Sequence, residues 1–332
     1  MVKYLIKRLG ITFITLCAIS FLIFAIIQAP PGDYLTTYIN ELQSQGEAVD
    51  PQKIAFLREQ YGLDKSFFEQ YFMWVSGLIQ GDLGYSFEFN QPVSHIIGER
   101  LELTALVSFS TLIFIWIISF PIAIYSATHP YNFLDYILTL IGFFGLAIPS
   151  FLLALILLYL SNVFFDTSIG GLMDPIYIDQ PWNINKFLSV LSHLWVPVVV
   201  IGTSGTAAMI RRLRANLLDE LQKPYVVTAK AKGLRKNKLL IKYPLRLSLN
   251  PFIADIGSIL PDIVSGAVVV SAVLSLPTTG PMLLQALLSQ DMYLAGSFLM
   301  FLAVLTIIGM FISDILLALL DPRIRLGGVI KK

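Results

Sequence analysis

Six long apolar segments dominate this chain, and they constrain its fold more than any other feature. The first four contain no Asp, Glu, Lys or Arg. About 20 apolar residues in a helix are enough to cross the hydrocarbon layer of a bilayer. The sequence therefore predicts an all-α integral membrane protein with six transmembrane helices. The predicted spans are Leu9–Ala29, Leu103–Ala127, Tyr136–Leu160, Phe187–Ile210, Phe252–Leu276 and Leu294–Leu320.

The composition argues against a soluble alternative. Of the 332 residues, 56% are hydrophobic and 14% are charged, whereas about 25% are charged in soluble domains. The first apolar segment is longer than the core of a secretory signal, and Pro30-Pro31 follows it instead of a cleavage site, so we expect a retained span. The single cysteine, Cys17, excludes a disulfide framework. The near balance of 23 basic and 22 acidic residues gives no attraction to nucleic acid.

The positions of the basic residues predict the orientation. Cytoplasmic loops of membrane proteins carry an excess of Lys and Arg. With the N-terminus inside and the spans alternating, most of the 23 basic residues fall on the inner side, and the largest group lies in Arg211–Pro251. Acidic residues concentrate instead in the outer region Pro30–Glu102. The sequence therefore predicts that both termini are cytoplasmic.

The outer region Pro30–Glu102 carries signals for two helices. Asp50 and Pro51 are typical of a helix start, and Gly62 is typical of a helix end. Asp64 is expected to cap a second helix with a broad aromatic face. We expect that face at the bilayer surface or against the spans. The alternative is a helical cap that makes no contact with substrate.

The inner region Arg211–Pro251 is basic, helix-prone and interrupted at Pro224, Gly233 and Pro244. This pattern predicts short helices that project from the membrane, not a folded domain.

Motifs for common catalytic chemistry are absent from the sequence. It contains no GxxxxGK[ST] loop for nucleotide phosphates and no GxSxG or HExxH motif. His95, His129 and His193 lie on separate segments without ligand partners at helical spacing. We therefore expect a transport protein that is not an enzyme and that holds no cofactor or metal of its own.

Four short motifs occur in a fixed order along the chain. Leu57–Asp64 reads LREQYGLD, Gly81–Phe87 reads GDLGYSF, Tyr225–Leu234 reads YVVTAKAKGL and Leu320–Arg325 reads LDPRIR. Together they resemble the inner-membrane permease subunits of binding-protein-dependent ABC importers, in the dipeptide, oligopeptide and nickel family. The resemblance covers nearly all of the chain.

The resemblance implies an architecture and a set of partners. A type I importer permease core would occupy residues 103–320, after a cytoplasmic N-terminus with the first span (1–29) and an extracytoplasmic helical insertion (30–102), and before a cytoplasmic tail (321–332). Such a permease lies in a bacterial or archaeal cytoplasmic membrane. It pairs with a second permease, two cytoplasmic ATPases that hold ATP and Mg²⁺, and an extracytoplasmic solute-binding protein.

The resemblance also implies a coupling helix that sits in a groove of the ATPase. The family's Glu-Ala-Ala-x-x-x-Gly motif falls on Val227–Ala229 and Gly233, without the glutamate and one alanine. Ala229 is small enough for close contact with a partner. Gly233 suits a left-handed helix end, and a glycine turn without partner contact is the alternative. The predicted ATPase-coupling residues are Tyr225, Thr228, Ala229, Lys230, Lys232 and Gly233.

Acidic residues in the fifth predicted span indicate a translocation path. Asp255 and Asp262 are seven residues apart and share one helical face with Ser258. Charged side chains inside a bilayer normally face protein or a water-filled cavity. These three residues are the predicted path residues, and structural hydrogen bonding by the two acids is the alternative. Asp314 in the sixth span is expected to be mainly structural.

The sequence leaves two alternatives open, one for the transported cargo and one for the energy source of transport. A peptide is the first expectation, but the family also imports oligosaccharides, and Ser271–Gly280 lacks the family's usual Glu-Thr and aromatic-Pro-Gly residues. The competing class is an ion-coupled secondary transporter that uses the same aspartates as relay sites. Such carriers commonly contain inverted repeats, and no internal repeat is visible in this sequence.

Overall fold

The computed structural model describes residues 2–30, 51–60, 62–165, 170–178, 180–250, 252 and 268–320, with isolated positions between 32 and 44. Two short strands, β1 (Tyr85–Ser86) and β2 (Gln91–Pro92), form an antiparallel hairpin. Most other described residues are helical. The helices are α1 (Val2–Gln28), α2 (Pro51–Gln60), α3 (Phe67–Gln80), α4 (Val93–Thr128), α5 (Phe133–Ala147), α6 (Ser150–Phe165), α7 (Ile184–Leu221), α8 (Pro224–Ala231), α9 (Lys236–Lys242), α10 (Pro244–Ser248), α11 (Val268–Val273), α12 (Thr279–Leu288) and α13 (Met292–Leu320).

Four of the described helices are long and apolar enough to cross a membrane. They are α1 from Gly10 onward, α4, α7 and α13 as far as Leu316. They coincide with the first, second, fourth and sixth predicted spans, so the prediction of a multi-pass helical protein is confirmed. Of the fifth predicted span, Phe252–Leu276, only Phe252 and the part from Val268 onward belong to the described residues. The count of six and the orientation stay predictions.

The third predicted span is not one straight helix. Helices α5 and α6 meet at an angle of 94°. Ile148, between them, has an extended backbone with φ −84° and ψ 119°, because the following Pro149 disfavours the helical conformation at the residue before it. The expectation of a continuous helix over Tyr136–Leu160 is therefore wrong. Within the described ranges there are four apolar spans, or five if the bent pair counts as one.

The chain forms two compact units. One contains residues 1–102 and 278–308, and the other contains residues 103–277 and 309–332. Helices α4 and α13 contribute residues to both units. The division of the chain at residues 29, 102 and 320 stays a prediction.

In the first unit, α3 packs against the first span. Phe24 of α1, Trp74 of α3 and Met292 of α13 form a buried cluster. Phe67 and Tyr71 of α3 also contact Phe24, with ring centroids 5.0 and 5.5 Å away. Aromatic pairs at such separations add to the free energy gained by burying their area. The predicted aromatic face of the outer region therefore does lie against a span.

Helices α2 and α3 of the outer region begin at different kinds of residue: α2 at a proline and α3 after a serine cap. Helix α2 begins at Pro51, as predicted, and Gly62 beyond its end has φ 63°. Helix α3 is capped by Ser66, whose hydroxyl accepts from the Glu69 amide while the Glu69 carboxylate accepts from the Ser66 amide. This reciprocal capping box satisfies two backbone donors at once. The expectation that Asp64 caps this helix is therefore wrong.

A buried carboxylate joins the β hairpin to the start of α13. Asp291 is 0% exposed and accepts from the Ser86 hydroxyl at 2.5 Å and from the Glu88 amide at 3.1 Å. Its other oxygen accepts from the Leu294 amide at 3.1 Å, which caps α13. Gln285 of α12 donates to the Glu88 carboxylate at 2.7 Å. One side chain thus fixes both the hairpin and the first turn of a span.

A close backbone approach at Gly84 gives the first prediction. Gly84 has φ +81°, and a Cβ built there would lie 2.3 Å from Cδ1 of Tyr293. Gly84→Ala should therefore lower the melting temperature of the purified protein, because backbone strain of about 1–2 kcal/mol adds to overpacking of about 1–3 kcal/mol. Gly81→Ala is the control, since Gly81 has φ +83° but no atom within 4 Å of its built Cβ. Equal destabilisation by the two variants would contradict the role of the Tyr293 contact.

Helix α7 is the centre of the second unit. The Asn183 side chain caps it by accepting from the Lys186 amide at 2.8 Å, and the helix continues for 38 residues. Helix α5 packs closely on α7, since a Cβ built on Gly145 would lie 3.1 Å from Cγ2 of Thr203. The buried core of this unit contains residues of α4, α6, α7 and the segment around α11. Its most buried members include Ala154, Leu172, Val196, Val200 and Leu274.

Candidate functional site: the basic region after α7

Helix α8 is short and has well-defined ends. It begins at Pro224, directly after Lys223 in an extended conformation, because the fixed φ of proline suits the first helical position. Beyond its end, the amide of Gly233 donates to the Lys230 carbonyl at 3.0 Å, and Gly233 has φ +78°. The predicted breaks at Pro224 and Gly233 are confirmed. A Cβ built on Gly233 would meet no atom within 4 Å. Glycine is therefore favoured at this position by its positive φ and not by a lack of space.

One face of α8 is covered by the chain itself. Val226 and Ala229 are 6% and 7% exposed and form a cluster with Leu239 of α9. Tyr225 and Leu234 pack against this cluster. The neighbouring helix thus covers the Ala229 side chain, and the close contact of Ala229 with a partner stays a prediction. Ala229 and Tyr225 hold α8 on α9.

The opposite face of α8 is open. Val227 is 61% exposed, and Thr228, Lys230 and Lys232 are also exposed. The Thr228 hydroxyl donates to the Pro224 carbonyl at 3.0 Å, so it is used within the helix. The face thus presents the large apolar side chain of Val227 beside two positive charges. An apolar centre with a polar rim is the usual composition of a protein–protein interface.

A hydrogen bond ties α8 to the end of the long helix. The Tyr225 hydroxyl donates to the Glu220 carboxylate near the last turn of α7. Burial, together with this bond, raises the pKa of Tyr225 above its ordinary value, so the phenol stays protonated and remains a donor at neutral pH. A movement of α8 is therefore resisted by α7 as well as by α9.

A buried ion pair connects the same end of α7 to α5. Arg214 donates from Nε and Nη2 to the two carboxylate oxygens of Asp135, at 2.9 and 2.7 Å. Asp135 also accepts from the Tyr131 amide at 2.9 Å, and its side chain is 3% exposed. Bidentate pairs of this kind combine strength with fixed geometry. Helices α5 and α7 are thus held together about three turns before the start of α8.

The other predicted site residues cannot be placed beside α8. Asp255, Ser258 and Asp262 lie outside the described residues, so their assignment to a translocation path stays a prediction. Among the residues that the structure does describe, no group of three or more His, Cys, Asp and Glu side chains could hold a metal ion.

These features define a class of protein. The described residues form a multi-pass helical membrane protein with an exposed cationic helix beyond one of its spans. Residues 119–326 match the family described as the binding-protein-dependent transport system inner membrane component. Residues 1–108 match the N-terminal part of the membrane component of such systems. The first match covers more than half of the chain, and the chain belongs to this family.

Curated relatives resemble the chain over its whole length. The oligopeptide transport system permease protein AppB of Bacillus subtilis is 34% identical over 329 residues, covering 98% of this chain and 100% of the relative. The dipeptide transport system permease protein DppB of Lactococcus lactis is 29% identical, with coverage of 98% and 100%. DppB of Escherichia coli is 26% identical, with coverage of 98% and 99%.

The chain is therefore a permease subunit of a binding-protein-dependent ABC importer, located in the inner membrane as a multi-pass protein. The predictions of family, transport class and membrane location are confirmed.

Proposed function

We propose that this permease forms one half of the translocation path of an ATP-driven peptide importer. It would pair with a similar second permease and receive cargo from an extracytoplasmic solute-binding protein. Two cytoplasmic ATPases would hold the ATP and Mg²⁺, and this chain would hold no cofactor. The sequence supports this division of labour, because it contains no nucleotide-binding loop.

The exposed face of α8 is the single observation that carries the proposal. A chain without its own ATP site can be moved by ATP hydrolysis only if a partner subunit binds to its surface. Val227, Thr228, Lys230 and Lys232 form such a surface, and Gly233 ends it. Tyr225 and Ala229 act from the other side by fixing the helix to α7 and α9.

The proposed orientation would bring this surface to the side of the membrane where the ATPases act. Both termini are proposed to be cytoplasmic, because the basic region Arg211–Pro251 then faces the cytoplasm in accordance with the excess of Lys and Arg in inner loops. The hairpin and α12 would then lie on the outer side, where the solute-binding protein delivers its cargo.

The cargo and path assignments extend the same proposal. Relatives that are named for oligopeptide and dipeptide transport support a peptide cargo. Asp255, Ser258 and Asp262 are proposed to line the path, because two carboxylates on one helical face are stable in a membrane only if they avoid lipid. Polar groups on that face could contact the amide groups of a peptide.

Uptake by reconstituted vesicles tests this function. The permease, its co-purifying subunits and the cognate binding protein are placed in vesicles loaded with ATP, and ionophores collapse all ion gradients. We expect labelled short peptides to accumulate only when both ATP and the binding protein are present. Uptake that depends on an ion gradient and not on ATP would contradict the energy source. Uptake of oligosaccharides without peptides would contradict the cargo.

A further inference from the structure

An apolar cavity of about 380 Å³ lies in the first unit, between α1, α3 and α13. Its volume falls in the range of small-molecule sites, about 300–1,000 Å³. The importer function assigned to the permease does not use this cavity. Its lining includes Phe13 and Cys17 of α1, Val75 and Ile79 of α3, and Met300 and Val304 of α13.

The positions of these residues along two spans give the depth of the cavity. On α1, the lining residues Phe13 to Ser20 lie roughly 12–22 Å from the end of the helix at Gln28, at 1.5 Å per residue. On α13, Met300 and Val304 lie roughly 12–18 Å from the start of the helix at Met292 by the same rise. Both walls therefore place the cavity deep within a hydrocarbon layer of about 30 Å.

Helix α3 forms one wall of the cavity. Its residues Phe67, Tyr71 and Trp74 contact Phe24 of α1, and Tyr71 also contacts Phe21, with ring centroids 5.6 Å apart. Helix α3 therefore follows α1 from Phe24 towards the cavity. Val75 and Ile79, on the next part of α3, line the cavity.

The polar atoms in the cavity wall are already engaged. The Ser20 hydroxyl donates to the Cys17 carbonyl at 2.9 Å and is hydrogen-bonded to the Tyr71 hydroxyl at 2.9 Å. The Ser297 hydroxyl donates to the Leu83 carbonyl at 3.0 Å. A water molecule would need two to four polar partners to be stable there. The occupant must therefore be apolar.

The edge of the cavity is continuous with the surface of the protein. Phe13 is 68% exposed and Ile79 is 81% exposed, and at this depth such side chains contact lipid tails. An empty space beside them would forfeit dispersion contacts on every wall. We propose that an acyl chain of a membrane phospholipid occupies the cavity as a structural ligand against α3.

Native mass spectrometry of the purified complex tests the proposal. Val304→Trp should fill the cavity and remove one bound phospholipid from each copy of the permease. Ile14→Trp is the matched control, because Ile14 is 70% exposed on α1 and does not line the cavity; this variant should keep the wild-type number. Equal phospholipid retention in all three proteins would overturn the proposal. So would the release of a free fatty acid in place of a phospholipid.

A second measurement uses the wild-type protein, so it does not depend on the folding of a variant. Cys17 is the single cysteine of the chain and lines the cavity. Removal of bound lipid with detergent should raise the rate at which N-ethylmaleimide modifies Cys17 severalfold, and addition of phospholipid should lower it again. The modification is read by peptide mass spectrometry. A rate that does not change with lipid would overturn the proposal even if import continued normally.

Discussion

Val227→Asp should reduce ATP-driven import by about tenfold or more. Val227 is the exposed large apolar residue of α8, with Lys230 and Lys232 beside it. Full burial of a valine side chain contributes about 1.5–3 kcal/mol, and each 1.4 kcal/mol corresponds to a tenfold change in affinity. A carboxylate at this position would lose that burial and would have to be desolvated on docking. Uptake and substrate-stimulated ATP hydrolysis by the reconstituted complex measure the effect.

Ile241→Asp is the matched control for this prediction. Ile241 lies on α9 in the same basic region and is 65% exposed, against 61% for Val227. The two substitutions therefore place the same charge on two equally open aliphatic positions, one on the proposed docking helix and one beyond it. We expect Ile241→Asp to leave import close to the wild-type rate. Loss of import in Ile241→Asp alone would move the docking surface to α9.

Arg214→Met should destabilise the permease by about 2–3 kcal/mol. The substitution leaves the carboxylate of Asp135, 3% exposed, without its bidentate partner. Breaking a buried ion pair costs about 3–5 kcal/mol, and we expect less in this case because the Arg214 side chain is 24% exposed. Thermal unfolding of the purified complex should begin several degrees earlier. Import should fall as well, since this pair locks α5 to the end of α7 that precedes α8.

Two further variants distinguish the loss of the ion pair from a nonspecific destabilisation of the fold. Asp135→Asn together with Arg214→Met should recover part of the lost stability, because it removes the buried charge that the single variant leaves unpaired. Glu99→Gln breaks the pair with His95, whose side chains are 60% and 66% exposed, and should have almost no effect. If the double variant were as unstable as Arg214→Met, the unpaired charge would not be the cause.

Local signals in the sequence predicted several helix boundaries. Pro51, Pro224 and Pro244 each begin a helix, and Gly233 follows the end of α8 in a left-handed conformation. These residues act through their own backbone, so the sequence alone is sufficient. The same kind of signal was misjudged at Asp64, because Ser66 and Glu69 together satisfy more backbone groups than a single carboxylate.

Contacts between distant residues were beyond the reach of the sequence. The burial of Ala229 depends on Leu239, which lies on another helix, so a small residue at a motif position did not reveal which way it faces. Asp291 was not singled out, although its position before an apolar run is typical of a helix cap; its contact with Ser86 joins residues far apart in the chain. The sequence shows Arg214 only as one of the basic residues of the inner region, and its pairing with Asp135 depends on the packing of two helices.

The bend between α5 and α6 could not be predicted from the local sequence alone. Hydropathy is continuous across Tyr136–Leu160 and predicts a single span, whereas the proline at position 149 restricts the residue before it. A proline within a helix is often tolerated, as Pro121 in α4 and Pro197 in α7 are. Local sequence therefore does not separate a tolerated proline from one that ends a helix, and the packing of α5 and α6 on α7 provides that information.

Site-specific photo-cross-linking from α8 tests whether this helix docks on an ATPase subunit. A photoreactive amino acid is placed at position 227 in one preparation and at position 241 in another, and the assembled complex is irradiated. We expect position 227 to capture an ATPase subunit and position 241 to capture it weakly or not at all. Both side chains are similarly exposed in the chain itself, so reactivity with solvent cannot produce that difference. Capture of the ATPase from position 241 but not from position 227 would contradict the assignment of α8 as the docking helix.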